Sequence, residues 1–415
     1  MCEIIKFWGS ITRYMQTLSL TEKEVTDLVR VPEGDHIIAR FEGDLRGPTV
    51  LVFGSIHGNE HSGVKALKKV ARELERANAA TTGDVYLIAG NTRAINKNVR
   101  YIETDLNRHW TPENIARNHP DARIRIRQGE DIEQAEILAI VSEALSRVRG
   151  EVYALDLHST SSKSTPFAMV GDTIRNRTFA EKFPATFLLG IEEQLDGTIL
   201  EYMNELGAVT LGFEAGQHTT EAAVKNQEAL IWLALANSGA INPGDFPIER
   251  HRAFLANAMG HKRIIEIRHR HAIKAEDQFR MEPGYANFQK VRKGEVLGHD
   301  LRGPVKASEK GMILMPLYQL QGSDGFFLGR EIKQFWLKLS RILRQIGAGA
   351  WIRFMPGVKR HPADDLSLIV NTRIARILPL QIFHLLGFRK RRWKGEKLVV
   401  SRRRHDTKSP FTTSG

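Results

Sequence analysis

Cysteine is almost missing from this 415-residue chain. Cys2 is the only one, which excludes an intrachain disulfide, a thiolate zinc cluster and a dithiol redox centre. Any metal site has to be built from histidine and carboxylate. Long apolar runs are missing too. Ile377–Phe388, the most tempting stretch, is shorter than the roughly 18 residues a membrane span needs and is interrupted by Pro379, Gln381 and His384. The N-terminus, MCEIIKFWGS, has no basic segment leading into an apolar core and a small-residue cleavage site, so no signal peptide is expected. With so little cysteine, the expected location is the cytoplasm. A 42% hydrophobic and 26% charged composition argues against general disorder. The length accommodates one sizeable domain and a smaller one.

Acid is scarce in one region only. From Arg330 onward, 20 Lys+Arg face 5 Asp+Glu, a net charge of +15, whereas residues 1–329 carry −3. The basic character therefore belongs to a C-terminal extension and says little about the substrate of the main domain. Amphipathic helical candidates in this extension lead to two basic runs, Arg389-Lys-Arg-Arg-Trp and Arg402-Arg-Arg. Such runs are compatible with weak contact to an anionic surface; packing of the intervening helices on the main domain is the alternative. No nucleic-acid motif accompanies them, so no stable nucleic-acid partner is expected. The final ten residues are expected to be disordered.

Ahead of the extension, compact β-branched runs alternate with helical patterns. A short helix-compatible stretch covers 20–29. Ile37–Phe41, Thr49–Gly54, Val85–Ala89 and Val152–Leu157 read as strands. Residues 62–78 place Leu67, Val70 and Leu74 on one helical face, and further helices are expected over 133–148 and 221–237. The alternation predicts an α/β domain over 1–250, ending near Asn242-Pro-Gly-Asp245. Short strands and glycine turns at Arg263–Arg268, Gly284–Phe288, Lys293–Gly298 and Gly311–Tyr318 suggest a β-rich domain over 251–330. A basic helical extension over 331–415 completes the expected organisation.

Four short segments carry chemistry. Gly54-Ser-Ile-His57-Gly-Asn-Glu60 follows a strand, where a turn can aim an imidazole and a carboxylate at one metal; alone, a His-x-x-Glu pair is weak. His158 ends another apolar strand and offers a third ligand. Asp156, two residues earlier, either orients a ligand or bonds a loop amide. Glu214, in Val209-Thr-Leu-Gly-Phe-Glu, is suited to moving a proton between water and a leaving amine; in isolation it reads as a surface or salt-bridged group. The stretch Asn91–Arg108 reads as a loop. In it Asn107 and Arg108 are suited to a substrate carboxylate and Arg100 to an oxyanion. The alternative is a solvated loop with Asp105 paired to an arginine.

His57-Gly-Asn-Glu60, Asp105-Leu-Asn-Arg108, Asp156-Leu-His158 and Gly212-Phe-Glu-Ala-Gly216, in that order over about 160 residues, resemble the succinylglutamate desuccinylase/aspartoacylase family, which is related to the zinc carboxypeptidases. The resemblance extends more loosely to about residue 330. It implies a three-layer zinc-carboxypeptidase-like α/β domain, with one Zn2+ per chain on His57, Glu60 and His158. It further implies catalysis by Glu214, oxyanion support from Arg100, and substrate contacts from Asn107 and Arg108. The second domain is then expected to narrow the active-site mouth. Three features depart from the pattern. Asn91-Thr92 stands where the family has Asn-Pro, Tyr318 and Phe326-Phe327 stand near an expected aromatic hydroxyl, and the basic extension is additional. The expected activity is hydrolysis of an amide in a small N-acylated amino acid or similar carboxylate-bearing substrate. A carboxypeptidase or amidase for short or cell-wall-like peptides is the alternative, and a zinc-stabilised non-catalytic binding protein a distant third. Homo-oligomerisation is left open.

Overall fold

The computed structural model describes residues 30–412 except 44–45, 123–127, 192–193, 363, 372–379 and 395–396. Cys2 and the helix expected over 20–29 lie outside the described residues.

Strands β1 (Ile37–Phe41), β2 (Thr49–Gly54) and β3 (Asp84–Ala89) form where the β-branched runs occur, with helix α1 (Ser62–Arg76) between the last two. β2 is buried along its length and pairs in parallel with β3 on one side and with β4 (Val152–Thr160) on the other. Alternation then separates the two faces. Val50 and Val52 of β2 pack toward α1, while Leu51 and Phe53 face the opposite core. Helix α2 (Thr92–Lys97) is started by the Asn91 side chain, which accepts from the Ala94 amide. α3 (Pro112–Asn118) is started by Thr111 with Pro112 in its first turn, and α4 (Glu130–Ser146) covers the second face. The polar stretch after Thr111 thus holds a helix, set by an N-cap and proline rather than by periodicity.

After β4 come β5 (Phe167–Val170), α5 (Ile174–Ala180), β6 (Phe187–Leu189), α6 (Ile199–Glu205), β7 (Val209–Gln217), α7 (Glu221–Ser238) and α8 (Ile248–Met259). α7 packs with α1 on one face of the sheet and α6 packs with α4 on the other, so helices cover both faces.

The β-rich region continues the same sheet. β8 (Ile264–Ala272) pairs with β6, and the sheet runs on through β14 (Asp324–Glu331), β13 (Gly311–Leu314) and β10 (Lys290–Val291) to eleven strands. β9 (Arg280–Met281), β11 (Val296–Asp300) and β12 (Gly303–Lys306) make a separate three-stranded sheet. Two expected strands are corrected. Residues 284–288 are turns, because Gly284 and Phe288 take positive φ. The strand from Gly311 stops at Leu314, because Met315 is left-handed (φ 48°) and Pro316 has no amide to donate.

The C-terminal region differs from the helical appendage expected. It holds α9 (Gln334–Gln345) and α10 (Leu380–Leu385), but also a four-stranded antiparallel sheet. Its strands are β15 (Val358–His361), β16 (Asp364–Asn371), β17 (Phe388–Lys394) and β18 (Lys397–Arg402), in the order β15-β16-β18-β17. Of the final ten residues expected to be disordered, 413–415 lie outside the described residues and 406–412 are ordered. Asp406 accepts from the Ile174 amide, Ser409 donates to Glu151, and Phe411 packs beside the core under α4 and α6. These contacts are made with distant residues, which local composition does not register. No helix among the described residues is long and apolar enough to cross a membrane.

Candidate active site and metal centre

The C-terminal ends of β2, β4 and β7 lie side by side and bring the separated segments together. His158 on β4 and Glu214 on β7 are register partners. His57 and Glu60 lie in the turn that leaves β2. That turn is tight: a Cβ on Gly58 would stand 2.2 Å from the Ala94 carbonyl carbon, and one on Gly54 2.7 Å from Leu67. Ser55 takes φ +60°, a conformation costing about 1–3 kcal/mol for a non-glycine residue. Its hydroxyl is fixed locally, donating to the Glu60 carbonyl at 2.7 Å and accepting from the Val64 amide.

His57, Glu60 and His158 are each at least 96% buried, and their ligand atoms lie within 4.8 Å of one another. The two imidazoles are held alike. His57 Nδ1 is 2.9 Å from Glu60 Oε1, and its Nε2 is 3.0 Å from Asp105 Oδ1. His158 Nδ1 is 3.1 Å from Glu60 Oε2, and its Nε2 is 2.6 Å from Asp156 Oδ2. An aspartate accepting the Nε2 proton sets the tautomer and leaves Nδ1 as a donor to a metal. Two imidazoles and one carboxylate suit a catalytic zinc with an open position. Buried beside them, Glu214 Oε2 has no hydrogen-bond partner. The residues therefore fit the ion.

Electrostatics separate the two carboxylates. Burial works to raise Glu60, but the charges and hydrogen bonds of His57 and His158 hold it well below the usual carboxylate range. At Glu214 burial prevails, with Glu60 adding to it, and the group is pushed up to about 7. One is an ionised candidate ligand and the other is poised to exchange a proton near neutrality.

Asn107 and Arg108 occupy a 3-10 turn, Leu106–Arg108, begun by Asp105; with α2, it replaces much of the loop expected over Asn91–Arg108. Asn107 is buried beneath His158. Its amide donates to Asp156 Oδ2 at 3.0 Å, and its carbonyl accepts from the Ile199 amide. Arg108 donates to the Asn107 backbone carbonyl and, at 2.6 Å, to Asp324 of β14, while its Nε is buried without a partner. Arg100 lies against the ligand set, with Nη2 2.8 Å from His57 Nε2 and two bonds to Asp105 Oδ2. The arginine–Asp105 pairing weighed for a solvated loop is thus present, but buried and turned inward.

A pocket with about 1140 Å3 of empty space, its open mouth included, is lined by the three candidate ligands together with Glu214, Asp156, Arg100, Asn107 and Arg108. Several of its other residues are illegible locally. His218 bonds the Ser159 hydroxyl at 2.8 Å. Residues 315–324, between β13 and β14, form one wall and are tied to both rims. Gln319 accepts from Asn59, Gln321 from the Arg100 amide, and Ser161 from the Tyr318 amide. The Tyr318 hydroxyl instead bonds the Glu282 carbonyl, within the β-rich region. Most distant in sequence is Arg403, which lines the pocket from just beyond β18 and donates to Asn204 at 3.2 Å.

Residues 46–235 match the model of the succinylglutamate desuccinylase/aspartoacylase catalytic domain. The family resemblance carried by the four motifs is borne out. Over 117 residues the chain is 33% identical to an aspartoacylase of Danio rerio, covering 27% of this chain and 34% of that protein. Over 173 residues it is 26% identical to a succinylglutamate desuccinylase of Photorhabdus laumondii, covering 40% and 51%. The chain thus spans a third to a half of the length of these curated relatives. A succinylglutamate desuccinylase/aspartoacylase structure from Rhodobacter sphaeroides shares the fold, with a TM-score of 0.51 at 21% identity over 71% of this chain and 88% of that one. The product-bound ectoine utilization protein EutE of Ruegeria pomeroyi does likewise, at 0.51 and 18% over 70% and 87%.

The aspartates behind the two histidines give a direct test of whether this donor set holds a metal. Asp156→Asn is expected to lower zinc affinity about 10–100-fold while leaving the fold intact. Competition with a chromophoric chelator reads the affinity, and an unchanged value would remove Asp156 from any role at the metal.

Proposed function

We propose that the chain is a zinc-dependent hydrolase that cleaves the amide bond of a small N-acylated amino acid or a similar carboxylate-bearing compound. The supporting observation is the unpartnered, buried Glu214 carboxylate beside a His57–Glu60–His158 donor set that opens into an arginine-bearing pocket. Zinc on those three residues would supply Lewis-acid polarisation of the acyl carbonyl and acidification of water. Glu214 takes the proton of the attacking water and passes it to the departing nitrogen. Water adds to the acyl carbon, the C–N bond breaks, and a carboxylate and an amine leave. Arg100 is the cation nearest the developing oxyanion. Arg108, with its Nε uncommitted, faces the substrate carboxylate, and Asn107 holds Asp156 and His158 in place. The wall formed by 315–324 narrows the mouth, which favours a small substrate over the short-peptide alternative.

The pocket also suggests where the acyl group lies. Thr210 and Glu214 project to the same face of β7 about 13 Å apart, and both line it. Between them Met169 and Leu200 close over Gly212 and wall a lane of the pocket. Asn204 and Arg403 line the pocket with Thr210 at the far end. Among the described residues no carboxylate lies within ion-pair distance of Arg403. An acyl chain ending in a carboxylate matches this lane. Arg403→Ala is expected to raise KM about 10–100-fold for such acyl groups, with little change in kcat or in turnover of acyl groups lacking the carboxylate. Steady-state kinetics on a panel of N-acyl amino acids checks both halves. Turnover of no member by the zinc-loaded protein would overturn the functional reading itself.

A further inference from the structure

Helix α9 is mounted with its apolar stripe outward. Phe335, Leu339, Ile342 and Ile346 recur at helical spacing and share one face. The opposite face, turned to the protein, packs Leu337 on the main core but also carries Ser340 and Arg344, both at least 96% buried. A helix docked only for packing would bury the stripe and expose the arginine. The exposure continues into the following 3-10 segment, Ala348–Phe354, where Trp351 and Phe354 are 77% and 74% exposed. Of the eleven large apolar side chains exposed among the described residues, seven lie between Phe335 and Met355. A patch of this kind marks an interaction surface.

Charge identifies its partner. Between residues 330 and 360 the chain has eight Lys and Arg against one acid, Glu331. Lys333 at the start of this helix, Lys338 on it, and Lys359 and Arg360 on β15 are exposed, and none has an ion-pair partner among the described residues. A second copy of the chain would bring the same cations face to face. An acidic lipid surface is the complementary partner, since it accepts aromatic side chains at headgroup depth while its charge attracts lysine and arginine.

We propose that α9 and the segment through Met355 form a membrane-surface site that docks the enzyme on anionic lipid without spanning it. The basic runs at Arg389 and Arg402, which the sequence suggested for such a contact, are not its basis. Arg389 is buried against Asp172 and Glu266, and Arg402 bonds the Leu386 carbonyl. The surface lies outside the pocket, so it stands whether or not the hydrolase reading does.

Sedimentation of the full chain with vesicles tests the assignment. Binding is expected to an equal mixture of phosphatidylcholine and phosphatidylglycerol, at least tenfold weaker to phosphatidylcholine alone, and weaker again in high salt. The exposed-face variant F335S/I342S is expected to lose about tenfold or more of the binding while keeping its circular dichroism and thermal midpoint. K333E/K338E, which leaves the apolar stripe intact, is expected to weaken binding to the anionic vesicles only. Equal sedimentation of wild type and F335S/I342S, or no vesicle binding at all, would overturn the proposal. So would a concentration-dependent dimer abolished by F335S/I342S, or a Trp351 that resists acrylamide quenching in vesicle-free protein, judged by difference from W351F. Either outcome would show the face to be covered by a second copy or by the chain itself.

Discussion

Glu214→Gln is expected to lower turnover of an N-acyl amino acid about 10²–10⁴-fold, with fold and zinc content unchanged. Glutamine keeps the shape and volume of the side chain but cannot take a proton from water. Glu214 is not one of the three clustered ligand residues, so metal content separates a lost proton carrier from a lost site. Its position explains why the effect is large. The carboxylate is buried at the pocket wall, raised to about 7 by burial and by Glu60, and no other side chain satisfies its Oε2. Single-turnover kinetics on zinc-loaded variant and wild type measure the loss. Equal rates would reject the role of Glu214 as base.

The second large effect is expected where the C-terminal region docks. Asp172, following β5, is buried against three guanidinium groups: Arg177 of α5, Arg344 of α9 and Arg389 of β17. Glu266 of β8 pairs with Arg389 and His384. Burial acts to raise Asp172, but the three arginines hold it well below its ordinary range. Burial also lowers Arg177, with Arg344 and Arg389 adding to it, to about 10. Asp172→Ala removes a carboxylate shared by three buried cations, a change that costs about 3–5 kcal/mol. The loss is read by denaturant titration and by protease cutting of 331–412. Because Arg403 belongs to the same docked unit, KM for carboxylate-ended substrates is expected to rise in parallel. Unchanged stability in Asp172→Ala would mean that the cluster does not hold the region in place.

The same cluster sets an acid limit. Burial acts upward on Glu266, but the hydrogen bond from His384 and the charge of Arg389 bring it to about 2. Its folded value lies below the unfolded 4.5, so its contribution is complete above about pH 4.5 and is lost as pH falls toward 2. At about 1.4 kcal/mol per unit this is on the order of 3 kcal/mol. Undocking on acidification is therefore expected to begin below pH 4.5 in wild type and to be blunted in Glu266→Gln, which is destabilised at neutral pH instead.

What was legible in the chain was what short range controls. β-branched runs closed by glycine form strands wherever they are buried on both faces, and β2, β3, β4 and β7 follow their patterns. His57, Glu60, His158 and Glu214 each end or follow such a strand, but singly they are weak signals; the order of the four motifs, through the family resemblance, is what singles them out. Local signals failed where long-range partners decide the outcome. Asp105 is drawn to His57 by a contact across separate segments, whereas Asp156 reaches His158 from two residues away on the same strand. Gln319, Gln321 and Asp324 reach the site only because 315–324 folds back over it. The basic tail looked like a solvated, partly disordered extension because its counter-charges, Asp172 and Glu266, lie far from it in sequence. The amphipathic helices expected there include α9, whose period is plain in the sequence. Which side of it faces water was not, because periodicity names a stripe but only packing assigns its direction. The residue types and the strand ends on which the site is built were thus written in the sequence. The tertiary structure decided how those groups are charged, oriented and enclosed, because burial, hydrogen bonding and opposite charge act through space between residues up to 260 positions apart.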